Sequence, residues 1–299
     1  MEYKGRIRLS HSAINTLTVC ERKFQLDRLL TSVPNDSTYA PLVFGKAWGA
    51  GIASYLEFQD INKAILTLWL AYYPAHEEDT RRTEDICIHL LLAAIPKLDT
   101  LLLDWEPANF EGKPAAEMSF KLDIDDKFYY VGYIDFIAKN KWSGRYGIIE
   151  VKTTALNLFD LDPIYQNSGQ GVGYSIALDK IAGSEQTEYD LIYIVGQLGS
   201  GDGFTPLIHI KTYQKNIQDR FNWFISLGMD VDRIRRMLDI NVFPLRGGNC
   251  LQYNKPCYHF GSCTLYDLDR YKEEVEDVID YQFVYNLDEI ISDHIERTI

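Results

Sequence analysis

The chain has 299 residues, of which 46% are hydrophobic and 24% are charged. This composition is typical of a folded globular protein and excludes a chain that is disordered throughout. The net charge of −13 does not suit a protein that coats nucleic acid through a generally basic surface. Most of the acidic excess follows Cys263, whereas the first thirty residues carry six basic and three acidic side chains.

The most apolar run, Ile86–Leu103, is interrupted by His89, Lys97 and Asp99. A membrane-spanning helix needs about 18 or more apolar residues with few charges, so we expect no membrane association. The first ten residues are charged and lack the apolar core of a signal peptide, which predicts a cytoplasmic protein.

The first hundred residues are predicted to be mostly helical. Ser10 precedes apolar residues at helical spacing, which predicts a helix over 11–31 that Pro34 and the Asn35–Ser37 cluster end. Cys87 lies in a later apolar helix and is expected in the core. The other helices of this region are predicted over Leu42–Phe58, 60–73 and 80–104.

From Ala116 onward the apolar pattern changes to that of strands. Runs at Ala116–Ile124 and Phe128–Ala138 flank the turn signal Asp125-Asp126, which predicts a hairpin. The later predicted elements are a strand over Tyr146–Thr153, a helix over 160–182, strands over Tyr189–Val195 and Leu207–Thr212, and a helix over 214–238. This order predicts an α/β fold, with a central mixed β-sheet flanked by helices.

Four segments are predicted along the chain. They are a helical N-terminal region packed on the core (1–105), the core itself (106–240), a cysteine-rich loop (241–265) and an acidic C-terminal segment that is helical in part (266–299). No linker rich in Pro, Gly or Ser divides the helical start from the sheet, so we expect one domain with an elaborated beginning.

Two acids and a lysine interrupt the apolar strands. Glu150 and Lys152 are two residues apart, so both project from the same face of their strand. Burying an acid beside a base is costly unless they pair or bind a ligand. If the strands pair through the turn near Ser143-Gly144, Asp135 lies near Glu150, and a divalent cation such as Mg²⁺ relieves the repulsion of the two carboxylates. A structural ion pair at a strand end is the alternative.

The acids and the lysine form part of an ordered motif series. Gly132-x-x-Asp135 followed by Glu150-x-Lys152-Thr153 resembles the PD-(D/E)XK nuclease superfamily, in its RecB-like branch. The resemblance implies a restriction-endonuclease-like core in which Asp135 and Glu150 bind the catalytic Mg²⁺ or Mn²⁺. It implies that Lys152 serves the attacking water.

Three further features bear on this resemblance. Gln170-x-x-x-Tyr174 is similar to the family's helix motif, which shapes the substrate side of the site. Glu117 resembles an additional acidic metal ligand that some members carry before the hairpin. Many RecB-like nucleases have Gly-x-x-x-His on an early helix, but here the segment is Gly45-Lys-Ala-Trp-Gly49. The glycine at the histidine position implies reduced activity, or replacement of that ligand by water or Glu117.

The cysteines form a second pattern. Five are present and three of them lie within fourteen residues, which does not suit a disulfide framework. Cys250-x6-Cys257-x5-Cys263, together with Cys20, resembles the iron–sulfur members of the same branch, such as AddB-type and CRISPR-associated RecB-like exonucleases. The resemblance implies a [4Fe–4S] cluster with four thiolate ligands. Zinc bound by the four cysteines, or by three of them with His259, is the alternative.

The resemblance as a whole implies a metal-dependent DNA exonuclease of a cell or a virus. Its implied substrate is single-stranded DNA or DNA ends, in recombination, repair or end processing, beside a helicase or recombination partner. The 20 tyrosines and the basic N-terminal residues can hold an unpaired strand, although ordinary packing also accounts for the tyrosines. Two alternatives stay open: a non-catalytic DNA-binding subunit or helicase partner with this fold, and a protein-interaction module that uses the acidic tail.

Overall fold

The computed structural model describes residues 5–30, 40–72, 81–110, 112–184, 186–199, 207–252, 255–261, 263 and 280–298. The helices are α1 (His11–Val19), α2 (Glu21–Phe24), α3 (Ala40–Phe58), α4 (Ile61–Tyr72), α5 (Glu84–Asp104), α6 (Leu158–Gln166), α7 (Gly169–Ala182), α8 (Ile217–Ile240) and α9 (Leu287–Thr298). A π-helix (Gln25–Leu29) follows α2, and a 3₁₀ turn covers Gly247–Asn249.

The strands are β1 (Ile7–Leu9), β2 (Trp105–Pro107), β3 (Asn109–Phe110), β4 (Lys113–Pro114), β5 (Ala116–Asp123), β6 (Phe128–Asn140), β7 (Tyr146–Thr154), β8 (Glu188–Gln197), β9 (Leu207–Asn216), β10 (Leu251–Gln252), β11 (Lys255–Pro256) and β12 (Phe283–Asn286). The chain forms two compact units, described here one at a time. The first unit contains residues 1–35, 119–132 and 221–299, and the second contains residues 36–118 and 133–220.

In the second unit, β6 and β7 form an antiparallel hairpin, β7 and β8 run parallel, and β8 and β9 are antiparallel. The parallel pair is joined through α6 and α7, as a crossover connection requires. Helices α3 and α5 cover one face of these strands, where Trp48 and Leu90 share a buried cluster with Ile149 and Ile194. The predicted α/β fold with a mixed sheet flanked by helices is confirmed.

Helix α5 is long and apolar enough to cross a membrane by length and composition, a weak criterion that core helices also meet. Its charged groups are bound within the unit: Lys97 donates to the Ile208 carbonyl at 2.6 Å, and Tyr55 donates to Asp99 at 2.7 Å. Five of its side chains, Cys87 among them, are buried. These contacts are those of a core helix.

In the first unit, β1 pairs in parallel with the start of β6, and β12 pairs in parallel with β5. The C-terminal segment therefore contributes an edge strand, and α9 follows it with Leu287 and Ile290 buried. The side chain of Gln282 accepts a hydrogen bond from the Ser119 N–H at 3.1 Å and so anchors this strand. The rest of the predicted acidic segment up to residue 279, as well as Pro34 and the Asn35–Ser37 cluster, lies outside the described residues.

Two predicted helices are interrupted in the structure. The helix predicted over 11–31 breaks at Cys20, whose backbone is extended. The Arg22 N–H bonds to the Pro244 carbonyl at 3.1 Å, a tertiary contact that replaces a helical hydrogen bond. The helix predicted over 160–182 is divided at Ser168, whose hydroxyl caps α7. The four predicted segments stay a prediction.

A buried ionic network stabilises the second unit. Arg220 is 1% exposed, and its guanidinium binds Asp179 at 2.6 Å and the Ser175 hydroxyl at 3.0 Å. Tyr189 donates to the same carboxylate at 2.7 Å, and its ring lies under the guanidinium. Each charge is desolvated but fully partnered, so loss of one partner leaves the other buried and unpaired.

We predict that Arg220→Met lowers the free energy of unfolding by about 3–5 kcal/mol, because it leaves the Asp179 carboxylate buried without a cation. Arg235→Met removes exposed ion pairs with Asp232 and Asp125 and should cost less than about 1 kcal/mol. Urea titrations of both variants and the wild type measure the difference. Equal losses would contradict the assigned role of the buried network.

Candidate active site

The candidate site lies in the second unit, where β6 and β7 stop pairing. The last pair in their register is Phe136 with Ile149, so Asp135 and Glu150 are the next residues on the two strands. Beyond this point the Asp135 carboxylate, rather than a backbone carbonyl, accepts the Val151 N–H at 2.9 Å. The end of the ladder therefore brings two acids to one place, as the sequence analysis expected.

Glu150 is fully buried in the middle of β7. One of its carboxylate oxygens accepts a hydrogen bond from Lys152 Nζ at 2.7 Å. The other oxygen, Oε1, has no hydrogen-bond partner in the part of the chain that the structure describes. A buried acceptor without a partner costs about 1–3 kcal/mol, so this oxygen marks a place for a ligand that the polypeptide does not supply.

The pKa values of the three groups reflect burial and mutual charge. Burial, reinforced by Asp135 and opposed by Lys152, raises the pKa of Glu150 to about 7. Burial also raises the pKa of Asp135. For Lys152, burial alone would lower the pKa, but the two carboxylates together raise it, so the amine stays charged. One ammonium thus faces two desolvated acids, and a further cation would bind favourably.

The donor set fits a small divalent cation. Carboxylate oxygens are hard ligands, and Mg²⁺ is commonly bound through one or two of them, with waters and substrate phosphates completing the octahedron. Asp135 and Glu150 supply two carboxylates, and Glu150 Oε1 is available for coordination. Among the described residues no group of three or more His, Cys, Asp and Glu could hold a metal ion by itself.

Gln170 and Tyr174 lie on α7, which covers the same face of the sheet. A Cβ on Gly171 would come within 2.5 Å of Leu191 Cδ1, so glycine permits this close approach. Gln170 Nε2 donates to the Tyr174 hydroxyl at 3.1 Å. Burial raises the pKa of Tyr174, and the negative charge of Glu150 adds to the effect, which shows that the phenol lies near the acids.

The structure does not bring Glu117 into this cluster. Its side chain is exposed at the start of β5, its backbone is left-handed with φ of 50°, and no group of three acids forms among the described residues. A Cβ on Gly45 would lie 3.5 Å from Thr153 Oγ1, on the face of β7 opposite Glu150 and Lys152. Gly49, one turn further along α3, has open space around its Cβ position.

Three tyrosines that lie in space near the acids were not singled out in the sequence analysis. Tyr165 stacks on Tyr193 with ring centroids 4.9 Å apart, and Tyr193 meets Tyr213 edge-on at 5.9 Å. One feature of the sequence could have pointed to them: Tyr193 lies in an apolar strand, in which every second residue points to the same face. Only the register of β8 against β7 shows that this position lies opposite Glu150.

The first unit contains the cysteine site. Cys20, Cys250, Cys257 and Cys263 line one pocket together with His259, around a cavity of about 30 Å³. All four are free thiols, and three of them are only partly buried. Among the described residues, no group of three or more His, Cys, Asp and Glu that could hold a metal ion is found at this pocket.

Polar contacts hold the pocket together from both ends of the chain. The Cys257 N–H donates to the Cys250 carbonyl at 2.8 Å, and Arg22 Nε donates to the Cys263 carbonyl at 3.1 Å. The neighbouring Glu21 is buried and accepts a hydrogen bond from Arg246 Nε at 2.7 Å. These contacts join residues from distant parts of the sequence beside the pocket.

Comparison with known proteins assigns the fold. The family model of the PD-(D/E)XK nuclease superfamily matches residues 8–257. No curated protein matches the chain. Among solved structures, that of a "Putative exonuclease" from Eubacterium rectale is similar at 13% identity and a TM-score of 0.44, covering 81% of this chain and 85% of the other.

We predict that Mn²⁺ raises the melting temperature more at about pH 8 than at about pH 6. The Glu150 carboxyl, with a pKa of about 7 in the metal-free protein, must release its proton to bind the ion, so affinity falls about tenfold for each pH unit below that value. Thermal denaturation with and without Mn²⁺ measures the effect.

Glu150→Gln should remove this metal-dependent stabilisation, whereas Glu117→Gln, at the exposed acid, should retain it. Equal stabilisation of the Glu150→Gln variant would show that the ion binds elsewhere.

Proposed function

Because the chain belongs to the PD-(D/E)XK nuclease superfamily, we propose that it is a metal-dependent deoxyribonuclease, acting as an exonuclease on single-stranded DNA or DNA ends. The observation that carries the proposal is the cluster of Asp135, Glu150 and Lys152 at the point where β6 and β7 separate. The unpartnered Glu150 Oε1 supports a cation there.

Asp135 and Glu150 would hold Mg²⁺ or Mn²⁺ between them. When bound, the ion neutralises phosphate charge and activates water for attack on phosphorus. The hydrogen bond from the Val151 N–H fixes one Asp135 oxygen, so the carboxylate keeps its orientation before any ligand arrives. Pre-arranged ligands need no reorganisation when the substrate binds.

Lys152 acts as a charged donor in this proposal. In the metal-free protein the neighbouring carboxylates raise the pKa of Lys152, so the amine carries its proton at neutral pH. Its N–H groups can orient the attacking water and stabilise the negative charge that develops on the phosphoryl oxygens. The side chain is about one-third exposed (32%), so it is open to a substrate, unlike Glu150.

Gln170 and Tyr174 take a positioning role. The hydroxyl of Tyr174 is held by Gln170 and lies near the acids, where it can donate a hydrogen bond to the substrate or its water. Its raised pKa keeps the phenol protonated, so it is a donor and not a second negative charge.

The cysteine pocket would hold a [4Fe–4S] cluster. Four thiols lining one pocket are the donor set that such a cluster uses, since it takes four thiolate ligands. A single zinc ion needs its ligands about 2.3 Å from one centre and stays the alternative. The ligands come from both ends of the chain, so the group would act as a staple.

A non-catalytic DNA-binding subunit with this fold is the second candidate. Glu117 is exposed and Gly49 has no side chain, so only two carboxylates, those of Asp135 and Glu150, remain for the metal among the described residues. This favours the non-catalytic subunit. The setting in recombination, repair or end processing inside a cell, beside a helicase partner, is part of the proposal and rests on the family resemblance.

We predict that Lys152→Ala lowers the cleavage rate of end-labelled DNA with Mg²⁺ or Mn²⁺ at least about a hundredfold, because the charge next to the phosphoryl group is lost. The control is Lys139→Ala, on the same hairpin but next to Tyr146. Labelled products distinguish exonuclease from endonuclease cleavage. A wild-type protein that binds DNA without cutting it would favour the non-catalytic subunit.

We predict that anaerobically purified protein contains iron and sulfide and absorbs visible light. Cys20→Ser and Cys257→Ser should lose the iron and melt at a lower temperature, since each removes a ligand that ties the chain ends. Cys87→Ser, at a buried thiol of the second unit, should keep the iron. Elemental analysis decides, and zinc in place of iron would overturn the cluster.

A further inference from the structure

We propose that Tyr165, Tyr193 and Tyr213, which we call the tyrosine row, stack an unpaired nucleobase of the DNA strand and make the site selective for single strands over duplex. This inference rests on the proposed nuclease function and specifies its substrate class.

The sheet register puts the row on the catalytic face. Tyr193 in β8 is the parallel partner of Glu150 in β7, and paired residues of neighbouring strands point to the same face. The antiparallel partner of Tyr193 in β9 is Lys211, and Tyr213 lies two residues further on the same face. The acid, the aromatic rings and a lysine thus follow one another across three strands.

The rings form a platform whose lower ring is held in place. Tyr193 is 1% exposed and supports Tyr165, whose ring is stacked on it with an interplanar angle of 25°. Tyr165 is only partly buried, at the end of α6. The Tyr213 hydroxyl donates to Asp162 at 2.6 Å, and Lys211 binds the same oxygen at 3.3 Å. These contacts hold α6 over the strands, so the platform exists before a ligand binds.

The tyrosine row is close enough to the catalytic groups to bind the same DNA strand. Burial raises the pKa of Tyr165, and the Lys152 ammonium opposes that rise. Glu150 and Lys152 both act on the pKa of Tyr193 as well. A nucleotide whose base rests on Tyr165 would therefore have its sugar–phosphate chain beside the catalytic lysine.

An unpaired base suits such a surface. Inside a duplex, away from its ends, both faces of a base are covered by its neighbours, whereas a single strand can offer a free face to an aromatic ring at about 1–3 kcal/mol per base. Lys211, 45% exposed on the same face, can meet the backbone phosphate. Helix α6 also exposes the apolar side chains Phe159 and Ile164, which suits a surface that an organic ligand covers.

The test compares binding of a fluorescent thymidine oligonucleotide with that of an equally long abasic oligonucleotide, in Ca²⁺ to prevent cleavage. The wild type should bind the thymidine strand more tightly. Tyr165→Ala should lose about 5- to 100-fold in affinity for it and little for the abasic strand, because only the stacked base is missing. Tyr165→Phe keeps the ring and should bind like the wild type.

Trp142→Ala, at an exposed aromatic of the β6–β7 turn, is the matched control and should change neither affinity. If Tyr165→Ala melts at a much lower temperature, Tyr165→Leu replaces it, since leucine fills the space without a stacking surface. Unchanged thymidine affinity in these variants, or an equal loss for both oligonucleotides, would overturn the stacking role and leave the rings as packing.

A cleavage assay keeps this result separate from the proposed function. If Tyr165→Ala loses the base-dependent affinity while the wild type cuts no DNA, the result would support stacking and reject the nuclease. Cleavage that requires Lys152 but shows the same preference for single strands in Tyr165→Ala would support the nuclease and reject stacking.

Discussion

A carboxylate that is shut off from water in the middle of a β-sheet is the constraint around which the candidate site is arranged. Glu150 lies on β7, which has β6 on one side and β8 on the other, while α7 covers its face. On an edge strand, water would satisfy both oxygens. In the centre, Lys152 satisfies one oxygen, and the other has no hydrogen-bond partner among the described residues.

Two buried glutamates among the described residues, Glu21 and Glu150, show how partners decide the role of such a group. Hydrogen bonds from Arg246, with help from Arg233, lower the pKa of Glu21 to about 2, whereas burial raises that of Glu150 to about 7. Glu21 is neutralised by its own chain and supports the walls of the cysteine pocket. Glu150 has one ion-pair partner, Lys152, and one oxygen without a hydrogen-bond partner among the described residues, and its pKa stays raised.

Residues on regular strands were the most predictable. Asp135, Glu150 and Lys152 follow from strand periodicity and a hairpin, because the side-chain alternation of a strand is local. The break at Cys20 and the edge strand β12 did not follow. The first depends on a hydrogen bond from Arg22 to Pro244, and the second on pairing between residues more than 160 positions apart.

The sequence by itself determined the α/β class, the order of the elements and the types of residue that can bind metal, since each depends on composition or short-range period. Only the tertiary structure decided which of them meet. It separates Glu117 from the other acids, gathers four distant cysteines around one pocket and aligns Tyr193 with Glu150. Strand register and long-range packing decide these contacts, and neither leaves a local pattern in the chain.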